Sequence, residues 1–299
     1  MSVELSSWDL LALAAKFASY VGCFVAIGSA LYLFATSQLQ DDLKAGLRRI
    51  IVSMAAVGLA GSLAQIVVQA GRLLDDGISG MVDPEMIGLV SNAPLGTSVL
   101  LRVLGLAALT AFALRIPAAR WFGYTGALLT ASSFSFVGHA TGDPRLVLAA
   151  LVTLHLLGVS FWIGALWPLR KSVATKSNLS VAGGLAHEFG RQAMWVVGGL
   201  VVAGSVLAFL LVGSPLALIS SQYGLTLLLK LAAVAVLLAL AAANKIRFVP
   251  ALRKESVSAA GHLRKSISLE MAVVALILAI TAVLTTVTSL PNTMDMTNG

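Results

Sequence analysis

The stretch GHATGDPRLVLAALVTLHLLGVSFWIGALWPL, from Gly138 to Leu169, holds the residues best suited to chemistry. His139 stands at the end of one apolar segment, Asp143 in the polar turn after it, and His155 inside the next apolar segment. Trp162 follows one heptad later. Histidine is costly in hydrocarbon unless something binds it, so His139 and His155 are candidate metal ligands. Neutral imidazole suits copper, zinc and iron alike, whereas thioether ligands favour Cu(I). The thioether candidates are Met81 and Met86 in the loop after the second apolar run, and Met294 and Met296, an MDM in the tail. The single cysteine, Cys23, lies inside the first apolar run and reads as a packing residue. The plainer alternatives are a solvated loop histidine for His139 and, for His155, a neutral imidazole bonded to a carbonyl or hydroxyl.

The elements that must position these residues are set by composition. The chain has 299 residues, of which 58% are hydrophobic and 11% charged, against about 25% charged in a soluble domain. Its mean hydropathy is +0.94. Apolar runs recur at about 20 residues, the length that crosses the hydrocarbon of a bilayer as a helix. These features predict an all-α polytopic membrane protein, a single domain over 1–299, built as a bundle of eight transmembrane helices. The expected spans are 8–36, 50–70, 96–116, 121–138, 144–169, 192–212, 223–245 and 266–290. A long loop is expected over 71–95, with a short helix begun by the Asp83-Pro84-Glu85 start signal. Basic loops are expected over 170–191 and 247–265. The start MSVELSSWD lacks the basic region of a secretory signal, so the first run is expected to stay in the mature protein.

Charge sets the expected orientation. Fifteen of the twenty Lys and Arg residues fall in the loops after the first, third, fifth and seventh spans. The positive-inside rule then puts both termini on the outer, periplasmic side. Three cations remain inside spans: Lys16, Arg102 and Lys230. With His155 they lie roughly 9 to 17 Å below the outer helix ends, which predicts a shared polar layer. Lys16 and Lys230 could instead snorkel to headgroups. Arg102 is expected to face inward, toward Gln65, Gln69 or the acids of the outer loop. Glu270, near the inner end of the last span, is expected to pair with Arg264 or Lys265, or to form part of an inner exit.

Several classes are excluded. There is no Walker motif, dinucleotide fingerprint, nucleophile elbow or pair of acids placed for hydrolysis. ATP-driven pumping by this chain alone is not expected, nor is an enzymatic activity, and the net charge of +7 reflects loop bias rather than nucleic-acid binding. A membrane cytochrome holding haem b is an alternative, although His139 and His155 lie at different depths.

Three segments resemble a known family. HLLGVSFWIGALWPL (His155 to Leu169) is similar to the signature helix of the copper-resistance protein D (CopD) family. The segment from Gly213 to Leu252 resembles that family's next block, with Tyr223, Lys230 and Asn244 in matching places, and LRKSISLEMAVVAL resembles its last helix, with Glu270 as the glutamate. The resemblance is specific over 138–291. It implies an eight-helix inner-membrane protein that moves copper, as Cu(I) or Cu(II), from periplasm to cytoplasm, often with a periplasmic copper-binding partner of the CopC type. By motif match it carries His155, Trp162, Tyr223, Lys230, Asn244 and Glu270. A non-transporting factor that hands copper to a partner is a further alternative.

Overall fold

The computed structural model describes residues 6–37, 39–74, 77–116, 119–138, 144–174, 179–212 and 215–287. Among them the chain is helical, with no strand. The helices are α1 (Ser7–Ala35), α2 (Asp41–Leu74), α3 (Gly77–Met81), α4 (Pro84–Asn92), α5 (Pro94–Ala113), α6 (Ala119–Ser132), α7 (Arg145–Ala174), α8 (Leu179–Val212), α9 (Pro215–Ser220), α10 (Gln222–Ala243), α11 (Val249–Arg253) and α12 (Val257–Thr286). A 3₁₀ turn, Ser133–Phe136, follows α6, and a π-helical turn, Asn244–Phe248, joins α10 to α11.

Among the described residues, seven helices, α1, α2, α5, α7, α8, α10 with its extension, and α12, are long and apolar enough to cross a membrane. The protein is therefore a multi-pass membrane protein. The expected fourth span differs. Helix α6 has 14 residues, short of the ~20 a span needs, and tightens into the 3₁₀ turn. Serine hydroxyls explain the change: Ser132, Ser133 and Ser135 each donate to a carbonyl three residues back. Such back-bonding competes with the α-helical ladder.

The basic stretches expected as loops are largely helix. Helix α2 begins at Asp41, α8 at Leu179 and α12 at Val257, nine to thirteen residues before the expected starts. Each extension has a buried stripe, as with Leu43 and Leu47 in α2, so amphipathicity rather than hydropathy continues the helix. In the long loop the expected short helix is present as α4, with Asp83 capping the Met86 N–H at 2.8 Å.

Side-chain links fix the up-and-down course of the helices. Arg72 at the end of α2 pairs with Asp9 at the start of α1. Arg48 near the start of α2 donates to the Phe112 carbonyl at the end of α5. Gln192 of α8 donates to Ala35 O at the end of α1. One end of the bundle thus gathers Arg48, Arg170, Lys171 and Arg253, and is called the basic end below. Helix α1 is central and packs on α2, α5, α6, α7 and α12.

Small residues allow the closest approaches, as between helices in lipid generally. A methyl group on Gly164 of α7 would lie 2.0 Å from the carbonyl carbon of Gly28 in α1. Nothing lies within 4 Å of the same position on Gly198 of α8. Gly164→Ala should therefore force α1 from α7 and lower the melting temperature in detergent, at a cost of about 1–3 kcal/mol. Gly198→Ala should leave it unchanged or slightly raised, and equal melting of the two variants would refute this account of the contact.

Candidate copper site

The expected polar layer resolves into two separate sites. The first joins α1, α5, α12 and the 3₁₀ turn. Arg102 is 1% exposed. Its Nε donates to Ser133 Oγ at 3.0 Å, one terminal nitrogen to Ser98 Oγ at 2.7 Å and the other to Ser19 Oγ at 3.5 Å. The guanidinium also lies over the Phe134 ring, 4.0 Å from its centroid. Arg102 faces inward as expected, but its acceptors are not Gln65, Gln69 or the loop acids. Gln65 donates to Gly61 O of its own helix. Serine hydroxyls from three elements surround the cation instead.

Lys16 reaches the end of α12. Its ammonium donates to Thr285 O at 2.7 Å, one of the last carbonyls of α12, which have no partner within the helix. A cation there also complements the helix C-terminus. Lys16 and Arg102 are close enough to repel one another. Cys23 is fully buried against Gly58 of α2.

The second site joins α7, α8 and α10. His155 projects from α7 toward α8, where a methyl on Gly204 would stand 3.9 Å from its Cε1. Its Nδ1 is buried and has no hydrogen-bond partner among the described residues. Lys230 of α10 is close enough to act on the imidazole electrostatically. His139, Asp143, Met294 and Met296 lie outside the described residues. Among the described residues, no three His, Cys, Asp or Glu side chains group to hold a metal, so His155 has no company of that kind there. His187 and His262 belong to the helix segments near the basic end, and His262 stacks on Phe248.

A third polar group was not foreseen as a unit. Glu270, 3% exposed, accepts from Trp162 Nε1 at 3.3 Å and from the Asn244 amide. Its expected pairing with Arg264 or Lys265 is corrected: both partners are neutral N–H donors, and Arg264 and Lys265 are exposed residues on the earlier turns of α12. Trp162 lies seven residues beyond His155 on α7, about 10 Å further toward the basic end. Asn244 opens the π-helical turn. Pro250 lacks the N–H for a carbonyl four residues back, and its ring crowds that carbonyl. The helix widens instead, and Val249 N–H donates to Asn244 O. Tyr223 is buried at the opposite end of α10.

Glu270, Asn244 and Trp162 line a cavity of about 290 Å³ between α7, α8, α10 and α12, with Met194 and Lys245 also in its wall. The chain thus places three polar groups at two depths of the bundle.

Comparison with known proteins decides what this bundle is. The family model for copper resistance protein D matches residues 183–284, and that for the copper resistance protein D-like N-terminal domain matches residues 7–147. Copper resistance protein D of Pseudomonas syringae pv. tomato is 28% identical over 298 residues, covering 92% of this chain and 95% of the relative. The chain belongs to the copper resistance protein D family. The family match reaches α1 through α6, where the sequence motifs alone were least specific. No solved structure matches the chain. As a member of a copper resistance family, the chain is concerned with copper.

Proposed function

We propose that this copper resistance family protein transports copper across the bacterial inner membrane, from periplasm to cytoplasm. In this reading the basic end faces the cytoplasm and both termini face the periplasm, by the positive-inside rule. Helix α6 with its 3₁₀ turn serves as the eighth crossing. His139, Asp143, Met294 and Met296 gather the ion at the outer mouth, and a periplasmic protein of the CopC type delivers it. No covalent reaction is catalysed.

The observation that supports this most is the buried, unpartnered Nδ1 of His155. A buried polar atom normally finds a partner, and an intramembrane histidine without one is suited to an arriving ligand. The neighbouring Lys230 raises the electrostatic cost of a resting cation, so the site binds it more weakly than an unopposed imidazole would and can release it. An inside-negative potential supplies about 2.3 kcal/mol per charge per 100 mV for inward movement.

Cells producing the chain should accumulate more copper than cells with an empty vector, and His155→Ala should return accumulation to the vector level. Unchanged accumulation with His155→Ala would remove His155 from the path. Reduced accumulation with the unaltered chain would reverse the direction, and a Soret band in the purified protein would favour the haem alternative.

A further inference from the structure

Glu270 is buried in an apolar wall, and its two hydrogen-bond partners carry no charge. None of the ion pairs among the described residues involves it. Neutral donors orient a carboxylate but leave its charge uncompensated, and such a charge in a low-dielectric interior costs several kcal/mol. A second acceptor stands beside it. Asn244 is 8% exposed, lines the same cavity, and its Oδ1 has no partner among the described residues. Two oxygen acceptors in an apolar cavity of about 290 Å³ call for a cation.

The opposite wall indicates which kind. Met194 of α8 lines the cavity, and the Lys245 ammonium donates to its sulfur. The two oxygens alone would suit hard cations, and it is the thioether sulfur that favours Cu(I).

We propose that this cavity is a second copper station. It takes Cu(I) between Met194 Sδ and the oxygens of Glu270 and Asn244, and Lys245 leaves the sulfur as the ion arrives. The site lies about 10 Å nearer the basic end than His155, by the seven-residue step along α7. Copper transferred from His155 would meet it next. The inference rests on the copper-transport reading and adds an inner site to it.

The test is titration of the full chain in lipid nanodiscs with Ag(I), a redox-inert stand-in for Cu(I). The unaltered chain should bind two equivalents. Glu270→Gln should lose one, and Met194→Leu should lose the same one. Met194 is about half exposed, so that variant keeps the test valid even where Glu270→Gln impairs folding. His155→Ala should lose the other equivalent. Two equivalents retained by both Glu270→Gln and Met194→Leu would overturn the cavity site while leaving the transport reading intact. No silver bound by the unaltered chain would overturn both.

Discussion

Arg102→Lys should destabilise the protein more than Arg102→Met does, although lysine keeps the charge. The guanidinium bonds Ser19 of α1, Ser98 of α5 and Ser133 of the 3₁₀ turn at once. That arrangement needs a planar fork with separated donors. A lysine ammonium is a single point and cannot reach three hydroxyls on three elements. It would leave a buried charge with one or two bonds. Methionine loses every bond but removes the charge and fills most of the volume. Arg102→Ala loses bonds, volume and the contact with the Phe134 face. Interhelical hydrogen bonds in membranes average about 0.6 kcal/mol, with a maximum near 1.7. Two of them, to Ser19 and Ser133, together with the Ser98 bond within α5 and a void in a packed core, bring the expected loss for Arg102→Ala to about 3 kcal/mol. Thermal unfolding in detergent orders the variants. A lysine variant as stable as the parent would show that charge alone matters there, and that the serine geometry is incidental.

Arg102 also shows where sequence reading succeeds and where it stops. That it faces inward follows from the cost of an arginine in hydrocarbon. Its partners do not follow, because serines at 19, 98 and 133 look unremarkable one by one and meet only after folding. Long helices were legible because apolar runs of span length have few other uses. The helical starts of α2, α8 and α12 were not, because DDLKAGLRR and similar stretches are polar enough to read as loops. Only the buried positions of Leu43 and Leu47 mark that stretch as helix. The shortening of α6 was equally hidden, since SSFSF fits the end of a span until its hydroxyls turn back on the chain. His155 stood out as a lone imidazole, but its neighbour Lys230 is 75 residues away in sequence. Family resemblance picked out Trp162, Asn244 and Glu270 one at a time. Their separations of 108 and 26 residues concealed that they form one hydrogen-bonded group.

That group carries the other large effect. Asn244→Leu should cost about 2 kcal/mol, because it removes a donor from a buried carboxylate. Trp162→Phe should act in the same direction through the other oxygen. The loss reflects the charge left behind rather than the worth of the bond itself. Replacing both partners by apolar groups of similar shape can be nearly neutral. Asn244→Leu with Glu270→Leu should therefore regain most of the stability lost by Asn244→Leu alone. A coupling of about 1–3 kcal/mol would then appear in the double-mutant cycle. The recovered protein separates two roles. If Glu270 serves only to join α7, α10 and α12, the stable double variant should accumulate copper like the parent. If the carboxylate handles the ion, the double variant should be folded and inactive. We expect the second outcome, because an apolar trio would hold these helices together as well and would spare the bundle a buried charge.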